Sequence, residues 1–261
     1  MWSFSKWRQQ QILKHTPVEA GTWQRLFDSL PVLAGLDSGR QQRLQERSLL
    51  FLHDKRLTAL GGLAPTPEER LRLALQAQLP VLELPELDWY QGFHEILLYP
   101  TDFQCPQKHR DSAGVEHCRD RRLSGETWLQ GPVILAWPGV LASGQWNGYN
   151  LIIHELAHKL DLLNGSADGF PPLHDDMRPA DWTRSFQGAY DQLNHQLQQH
   201  PHRPPPLDAY AAENPAEFFA VSCEYFFSAP RVLAGVFPAV YAQLRAFFRQ
   251  DPLLRHTRPA G

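Results

Sequence analysis

Apolar side chains recur at helical spacing through the first 80 residues of the chain. The repeat is clearest at Trp23, Leu26, Phe27 and Leu30, which would share one face of a helix. A further helix is expected to start at residue 66, where Thr66 suits the N-cap, Pro67 fits the first turn and Glu69 can complete a capping box. Residues 1–80 are therefore predicted to form an N-terminal helical region.

Between residues 92 and 137 the pattern changes to short apolar runs that are typical of strands. Residues 94–99 and 132–137 are rich in β-forming side chains and are bounded by proline and glycine. The stretch between them, through Val115 and Trp128, is predicted to add one or two strands. We therefore expect a small mixed sheet. If the run at 132–137 lies at an edge, an extended peptide could pair with it.

Helical patterns return after residue 150. Helices are predicted over residues 151–163, 181–200, 214–227 and 237–249, with an irregular proline-rich connection at 200–206. The order of helices, a small sheet and helices again predicts the α+β class. Residues 81–261 are expected to form one domain, on which the N-terminal helical region packs.

The helix predicted at 151–163 carries the residues that point to chemistry. Residues 154–158 read HELAH, which is the H-E-x-x-H pattern of zinc peptidases. His154 and His158 are four positions apart, so both imidazoles lie on one side of the helix and can take two corners of a tetrahedral zinc site. Glu155 lies between them and can take a proton from a zinc-bound water, whose pKa the metal lowers to about 7. The alternative is a helix with two histidines that bind no metal.

A catalytic zinc site needs a third protein ligand, and the sequence leaves several candidates. Metzincin spacing would place a glycine at 161 and a ligand at 164, but the chain has Asp161 and Asn164. Asp161 is expected either to accept a hydrogen bond behind the ligands or to be an exposed charge near Lys159. Glu217 follows the helix-start signal at 214–215, although a carboxylate there can also simply complement the helix dipole. The other candidates are Asp168, His174, Asp175, Asp176, Glu213 and Glu224.

At this point the sequence resembles a known family. The resemblance is carried by residues 154–161, 208–212, 214–219 and 224–227 and continues across most of the chain. It is a resemblance to the Mlc titration factor A family of bacterial cytosolic zinc peptidases, whose catalytic core is similar to that of the anthrax lethal factor protease. The fold that this implies is a zincin-like metallopeptidase core with a small sheet, the H-E-x-x-H helix and C-terminal helices.

The resemblance also implies roles for individual residues. His154, His158 and Glu217 would hold one Zn²⁺ per chain, and Glu155 would be the general base. Tyr210 would donate its hydroxyl to the developing oxyanion, whereas from the sequence alone it is an ordinary aromatic residue before a helix. The implied activity is hydrolysis of peptide bonds, aminopeptidase-like and on short substrates. The implied partner is the glucose repressor Mlc, so an alternative is a regulatory repressor-binding protein with a mainly structural zinc.

Composition and charge narrow the possible functions and the cellular location. The formal net charge of -3 gives no general reason to bind nucleic acid or an anionic membrane, which counts against a DNA-associated metalloprotease. Cys105, Cys118 and Cys223 include no Cys-x-x-Cys pair and fit a reducing compartment. The first residues lack a secretory apolar stretch, and no run approaches the roughly 18 apolar residues of a membrane span. We therefore expect a cytoplasmic monomer.

Overall fold

The computed structural model describes residues 2–85, 89–101, 109–110, 116–117 and 131–256. Its first elements are α1 (Trp2–His15), α2 (Ala20–Ser29), α3 (Ser38–Asp54), β1 (Arg56–Ala59), α4 (Pro67–Gln78) and β2 (Glu95–Tyr99). Then come β3 (His109–Arg110), β4 (Glu116–His117), β5 (Val133–Ala136), α5 (Trp137–Ala142), α6 (Leu151–Asp161), α7 (Pro179–Gln199), α8 (Pro215–Ser228), α9 (Pro230–Val236), α10 (Pro238–Phe248) and α11 (Pro252–His256). Short 3₁₀ helices cover Pro31–Leu33, Leu162–Asn164 and Ala209–Ala212.

The main sheet has the strand order β1-β2-β5, and both pairings are parallel. The prediction of a mixed sheet is therefore wrong for the described strands of this sheet. Strands β3 and β4 form a separate antiparallel pair within the segment where one or two extra strands were expected. Val115 and Trp128, which were assigned to that segment, lie outside the described residues.

The N-terminal helical prediction misses one strand. In β1, Arg56 is opposite Glu95 and Ala59 is opposite Leu98, so this part of the chain supplies an edge of the sheet. The connection from β1 to β2 contains α4, which is the helical crossover that parallel neighbours require. The division of the chain at residue 80 stays a prediction.

Local capping explains where the site-bearing helices start. Thr66 and Glu69 form the predicted capping box of α4. The Asn150 side chain accepts a hydrogen bond from the Ile153 backbone N–H and so caps α6. Asn214 does the same for α8 through the Glu217 backbone N–H, with Pro215 in the first turn. These last two caps fix where the two neighbouring helices that carry His154, His158 and Glu217 begin.

A single hydrophobic core joins the N-terminal helices, the sheet and the C-terminal helices. Its C-terminal part is aromatic, with Trp182 stacked on Phe186 at a ring separation of 4.3 Å and Phe219 tilted against both. These contacts hold α7 against α8. The helices and the small sheet together confirm the α+β class. Among the described residues, no helix is both long enough and apolar enough to cross a membrane.

Candidate metal centre

His154, His158 and Glu217 converge where α6 lies against α8. One potential ligand atom from each side chain lies within 4.8 Å of the others. The Glu217 Oε2 is 3.2 Å from His154 Nε2 and 3.4 Å from His158 Nε2, and the two imidazole nitrogens are 3.2 Å apart. In the part of the chain that the structure describes, this is the one such group of three or more histidine, cysteine or acidic side chains.

The exposure of the three side chains differs across the cluster. The His154 side chain is 1% exposed, whereas His158 and Glu217 are 21% and 15% exposed. His154 is therefore anchored in the interior, and the cluster opens toward solvent on the side of His158 and Glu217. A ligand-binding centre needs such an open side for a substrate to approach.

The polar atoms of the cluster fit a bound cation. Glu217 Oε2 is buried and receives no well-aligned hydrogen bond from a described residue. Burial raises the pKa of Glu217, but interactions with His154 and His158 outweigh it and hold the pKa well below its usual range. Two imidazole nitrogens and one carboxylate oxygen are a donor set that Zn²⁺ commonly takes. A divalent cation would satisfy all three atoms at once.

Glu224 supports the cluster from behind. Its Oε1 lies 2.6 Å from His154 Nδ1, and its Oε2 accepts a 2.8 Å hydrogen bond from the Asn150 backbone N–H. Glu224 was one of the candidate ligands from the sequence, but the structure does not place it in the converging group. Its position seven residues after Glu217 put it on the same face of α8, and that spacing was the available signal.

Tyr210 lies beside the cluster, and Glu155 follows His154 on α6. The Tyr210 hydroxyl donates a 3.2 Å hydrogen bond to Glu217 Oε1, and its ring lies 6.2 Å from that of His154. Asp208 fixes the start of this short 3₁₀ helix by accepting from the Tyr210 backbone N–H. Glu155 is half-buried on α6, and its charge raises the pKa of nearby Lys159. Burial outweighs that effect and lowers the Lys159 pKa to about 8.

Asp161 is fully buried, so of the two alternatives the exposed charge is wrong, and the hydrogen bond behind the ligands stays a prediction. Its Oδ2 accepts a 2.8 Å hydrogen bond from the Gly169 backbone N–H, and its Oδ1 has no hydrogen-bond partner among the described residues. Burial raises the pKa of Asp161 to about 7. The carboxyl group therefore ties the end of α6 to the loop that follows. Lys159 is also buried and donates to the Gly131 carbonyl.

Other candidates from the sequence lie elsewhere. His174 is within 2.7 Å of the Phe247 carbonyl oxygen and stacks on the Phe247 ring. Asp176 pairs with Arg249, and Asp168 accepts from the Phe170 backbone N–H. Asp175 and Glu213 are exposed and do not join the converging group.

Two comparisons with known proteins identified similar sequences. A model of the family described as "Glucose-regulated metallo-peptidase M90" matches residues 4–249. The chain is also similar to proteins named Mlc titration factor A from Yersinia pestis (strain Pestoides F) and Yersinia pseudotuberculosis serotype O:1b (strain IP 31758). Each is 44% identical over 232 residues, which cover 88% of this chain and 85% of the relative.

Proposed function

Because the chain belongs to the glucose-regulated metallo-peptidase M90 family, we propose that it is a zinc-dependent peptidase with one Zn²⁺ per chain. His154, His158 and Glu217 would hold the metal. The observation that carries the proposal is the convergence of their ligand atoms around a buried carboxylate oxygen that lacks a hydrogen-bond partner among the described residues. A zincin-like core, with the motif helix beside a small sheet, is part of the same proposal.

Neighbouring side chains would orient the ligands for the metal. Glu224 accepts the Nδ1 proton of His154, which leaves the Nε2 lone pair toward the metal. Zinc at this position would supply positive charge that acidifies a water molecule and polarises a peptide carbonyl. Because His158 and Glu217 are partly exposed, a substrate could reach the centre from their side.

Glu155 would carry the proton during hydrolysis. As the water oxygen forms its bond to the carbonyl carbon, the Glu155 carboxylate accepts the water proton. When the carbon–nitrogen bond breaks, Glu155 returns that proton to the leaving amine, so it ends the cycle as a carboxylate. General acid–base catalysis of this kind typically contributes about 10²–10⁴-fold to the rate.

Tyr210 would assist at the carbonyl oxygen. Its hydroxyl lies at the cluster, since it reaches Glu217 Oε1 at 3.2 Å. A small rotation of the hydroxyl would direct the same proton at the oxygen that gains negative charge. Preorganised donors of this kind typically contribute about 10²–10³-fold in kcat.

The substrate is proposed to be a short peptide, cleaved in an aminopeptidase-like manner. The family resemblance supports this class. The sheet offers a means of binding, because β5 pairs with β2 on one side and with no described strand on the other. An extended peptide could add to that edge through backbone hydrogen bonds.

The test compares the wild-type protein with Glu155→Gln and Tyr210→Phe on a panel of short peptides. Glu155→Gln should bind one zinc per chain and lose about 10²–10⁴-fold in kcat. Tyr210→Phe should lose about 10²–10³-fold in kcat, with zinc content and KM little changed. Glu46→Gln, on α3 and outside the converging group, is the control and should match the wild type. A metal-free wild-type protein, or undiminished cleavage by Glu155→Gln, would exclude the proposed mechanism.

A second candidate function rests on the name of the relatives, Mlc titration factor A. In this alternative the chain binds the repressor Mlc, and the zinc site is mainly structural. A cytoplasmic location, still a prediction, would bring the two proteins together. If Glu155→Gln binds zinc and Mlc as the wild type does and keeps its effect on sugar-uptake genes, the regulatory function does not require cleavage.

A further inference from the structure

A cavity of about 400 Å³ lies between the N-terminal and C-terminal parts of the chain, and its lining residues are separate from the metal centre. The turn before α3, the first turn of α3, the end of α10 and α11 form its wall. Four arginines line it: Arg40, Arg245, Arg249 and Arg255. This volume is within the range of small-molecule sites, and the lining makes the cavity cationic.

Three of these arginines also have carboxylate partners. The pairs are Arg40 with Asp37 and Glu83, Arg245 with Asp251, and Arg249 with Asp176. Arg245 and Arg249 are 58% and 40% exposed, so their ion pairs are screened by solvent and contribute little. Both guanidinium groups can therefore turn toward an anion in the cavity at small cost.

Arg255 differs from the other three. It is only 9% exposed, and its Nη1 reaches the Val32 carbonyl at a long 3.4 Å. Its Nη2 has no hydrogen-bond partner, and the side chain forms no ion pair, among the described residues. Burial lowers the pKa of Arg255 to about 10, which still leaves it charged at neutral pH. Asp251 and Glu83 are near enough to favour its charge, but neither pairs with it directly. A buried cation without a directly paired anion is costly, so an anion in the cavity would stabilise Arg255.

We propose that this cavity binds a small phosphate-bearing molecule, with its phosphate group held by Arg255, Arg245 and Arg249. Guanidinium groups form forked hydrogen bonds to phosphate oxygens, and a phosphate monoester carries close to two negative charges. The side chains of Leu36 and Leu254 also line the cavity and would face the organic part of the ligand. Asp251 lies in the same wall, but its Oδ1 already accepts from the Tyr241 hydroxyl at 2.7 Å.

Calorimetric titration of the zinc-loaded full chain tests this proposal. The probes are inorganic phosphate, glycerol phosphate and succinate at one fixed ionic strength. Glycerol phosphate should bind with a Kd below about 1 mM, and succinate should bind at least about tenfold more weakly. R255Q should weaken glycerol phosphate binding by about tenfold or more. R184Q removes an exposed arginine of α7 that does not line the cavity, and it should bind as the wild type does.

Further variants separate the possible outcomes. R245Q and R249Q change exposed side chains, so they keep the fold even if R255Q does not, and each should weaken binding severalfold. Glu217→Gln should bind glycerol phosphate normally, because the cavity does not depend on the metal centre. Four results would each overturn the proposal. They are no binding of glycerol phosphate, equal binding of succinate, unchanged binding in R245Q and R249Q, and loss of binding in Glu217→Gln.

Discussion

Glu224 contacts His154 of the candidate metal centre without belonging to the group that would hold the metal. In Glu224→Gln, the side-chain oxygen can still accept from Asn150, but the amide then faces His154 Nδ1 with N–H bonds. This favours the His154 tautomer that carries its proton on Nε2, where the metal should bind. We expect zinc affinity to fall about 10–100-fold, measured by competition with a chelating indicator. Glu46→Gln should leave it unchanged, and an unaltered affinity in Glu224→Gln would contradict this role.

At the residue scale, the sequence predicted the chemical roles of side chains better than it predicted where those side chains point in the fold. His154 and His158 could be paired from their spacing because a helix has a fixed period. Glu217 could only be favoured, since its approach to the histidines depends on how α8 packs on α6. Asp161 was left open, because its burial follows from the loop that folds back with Gly169. Such long-range contacts leave no short pattern in the chain.

Asp161 should make the stability of the metal-free protein depend on pH. Its pKa of about 7 in the folded state lies above the ordinary 3.8, so between these values the folded state keeps a proton that the unfolded state releases. The free energy of unfolding should therefore fall as pH rises from about 4 to about 7 and then level off. Asp161→Asn should remove this contribution, as measured by urea unfolding across that range. An identical slope in wild type and variant would contradict the assignment.

At the element scale, capping signals were more informative than apolar periodicity. Thr66 and Asn214 predicted the starts of two helices because each cap is a contact between near neighbours. Strand β1 was missed because its four residues follow α3 closely and carry no distinct alternation. Its pairing with β2 lies about 40 residues along the chain, so the parallel sheet could not be recognised from the apolar runs alone.

Gly169 connects the two helices of the metal centre, so its substitution should affect both stability and metal binding. It has a φ of +79°, and an added Cβ would lie 2.6 Å from the carbonyl oxygen of Pro215, in the first turn of α8. Gly165→Ala is the matched control, because Gly165 also has a positive φ but has open space around it. We expect the control to lose about 1–2 kcal/mol of unfolding free energy from backbone strain.

Gly169→Ala should lose a further 1–3 kcal/mol or so, because the overlap with Pro215 forces the loop away from α8. Zinc affinity should also fall, since Glu217 lies two residues after Pro215. Urea unfolding and a zinc titration of both variants measure these effects. Equal losses in the two variants would show that contact with Pro215 does not position α8.

At the scale of the whole molecule, the site depends on the packing of two helices that are distant in the sequence. His158 and Glu217 are 59 positions apart in the chain, and α7 separates α6 from α8. The aromatic contacts of Trp182 and Phe186 with Phe219 hold α7 on α8. The class of fold could be predicted from the order of elements, but this packing could not, because many arrangements of the same helices would bury a similar apolar surface.

Metal removal should therefore weaken the whole fold. A cation held by His154 and His158 of α6 and by Glu217 of α8 links two helices, and it binds the folded state alone. Zinc at about 1,000 times its Kd would add about 4 kcal/mol, which for a chain of this size corresponds to a rise in Tm of roughly 10 °C. Thermal unfolding with zinc and with a chelator should show this difference in the wild type and in Glu155→Gln. Glu217→Gln should lose most of it, and a full shift in that variant would rule out Glu217 as the link between the helices.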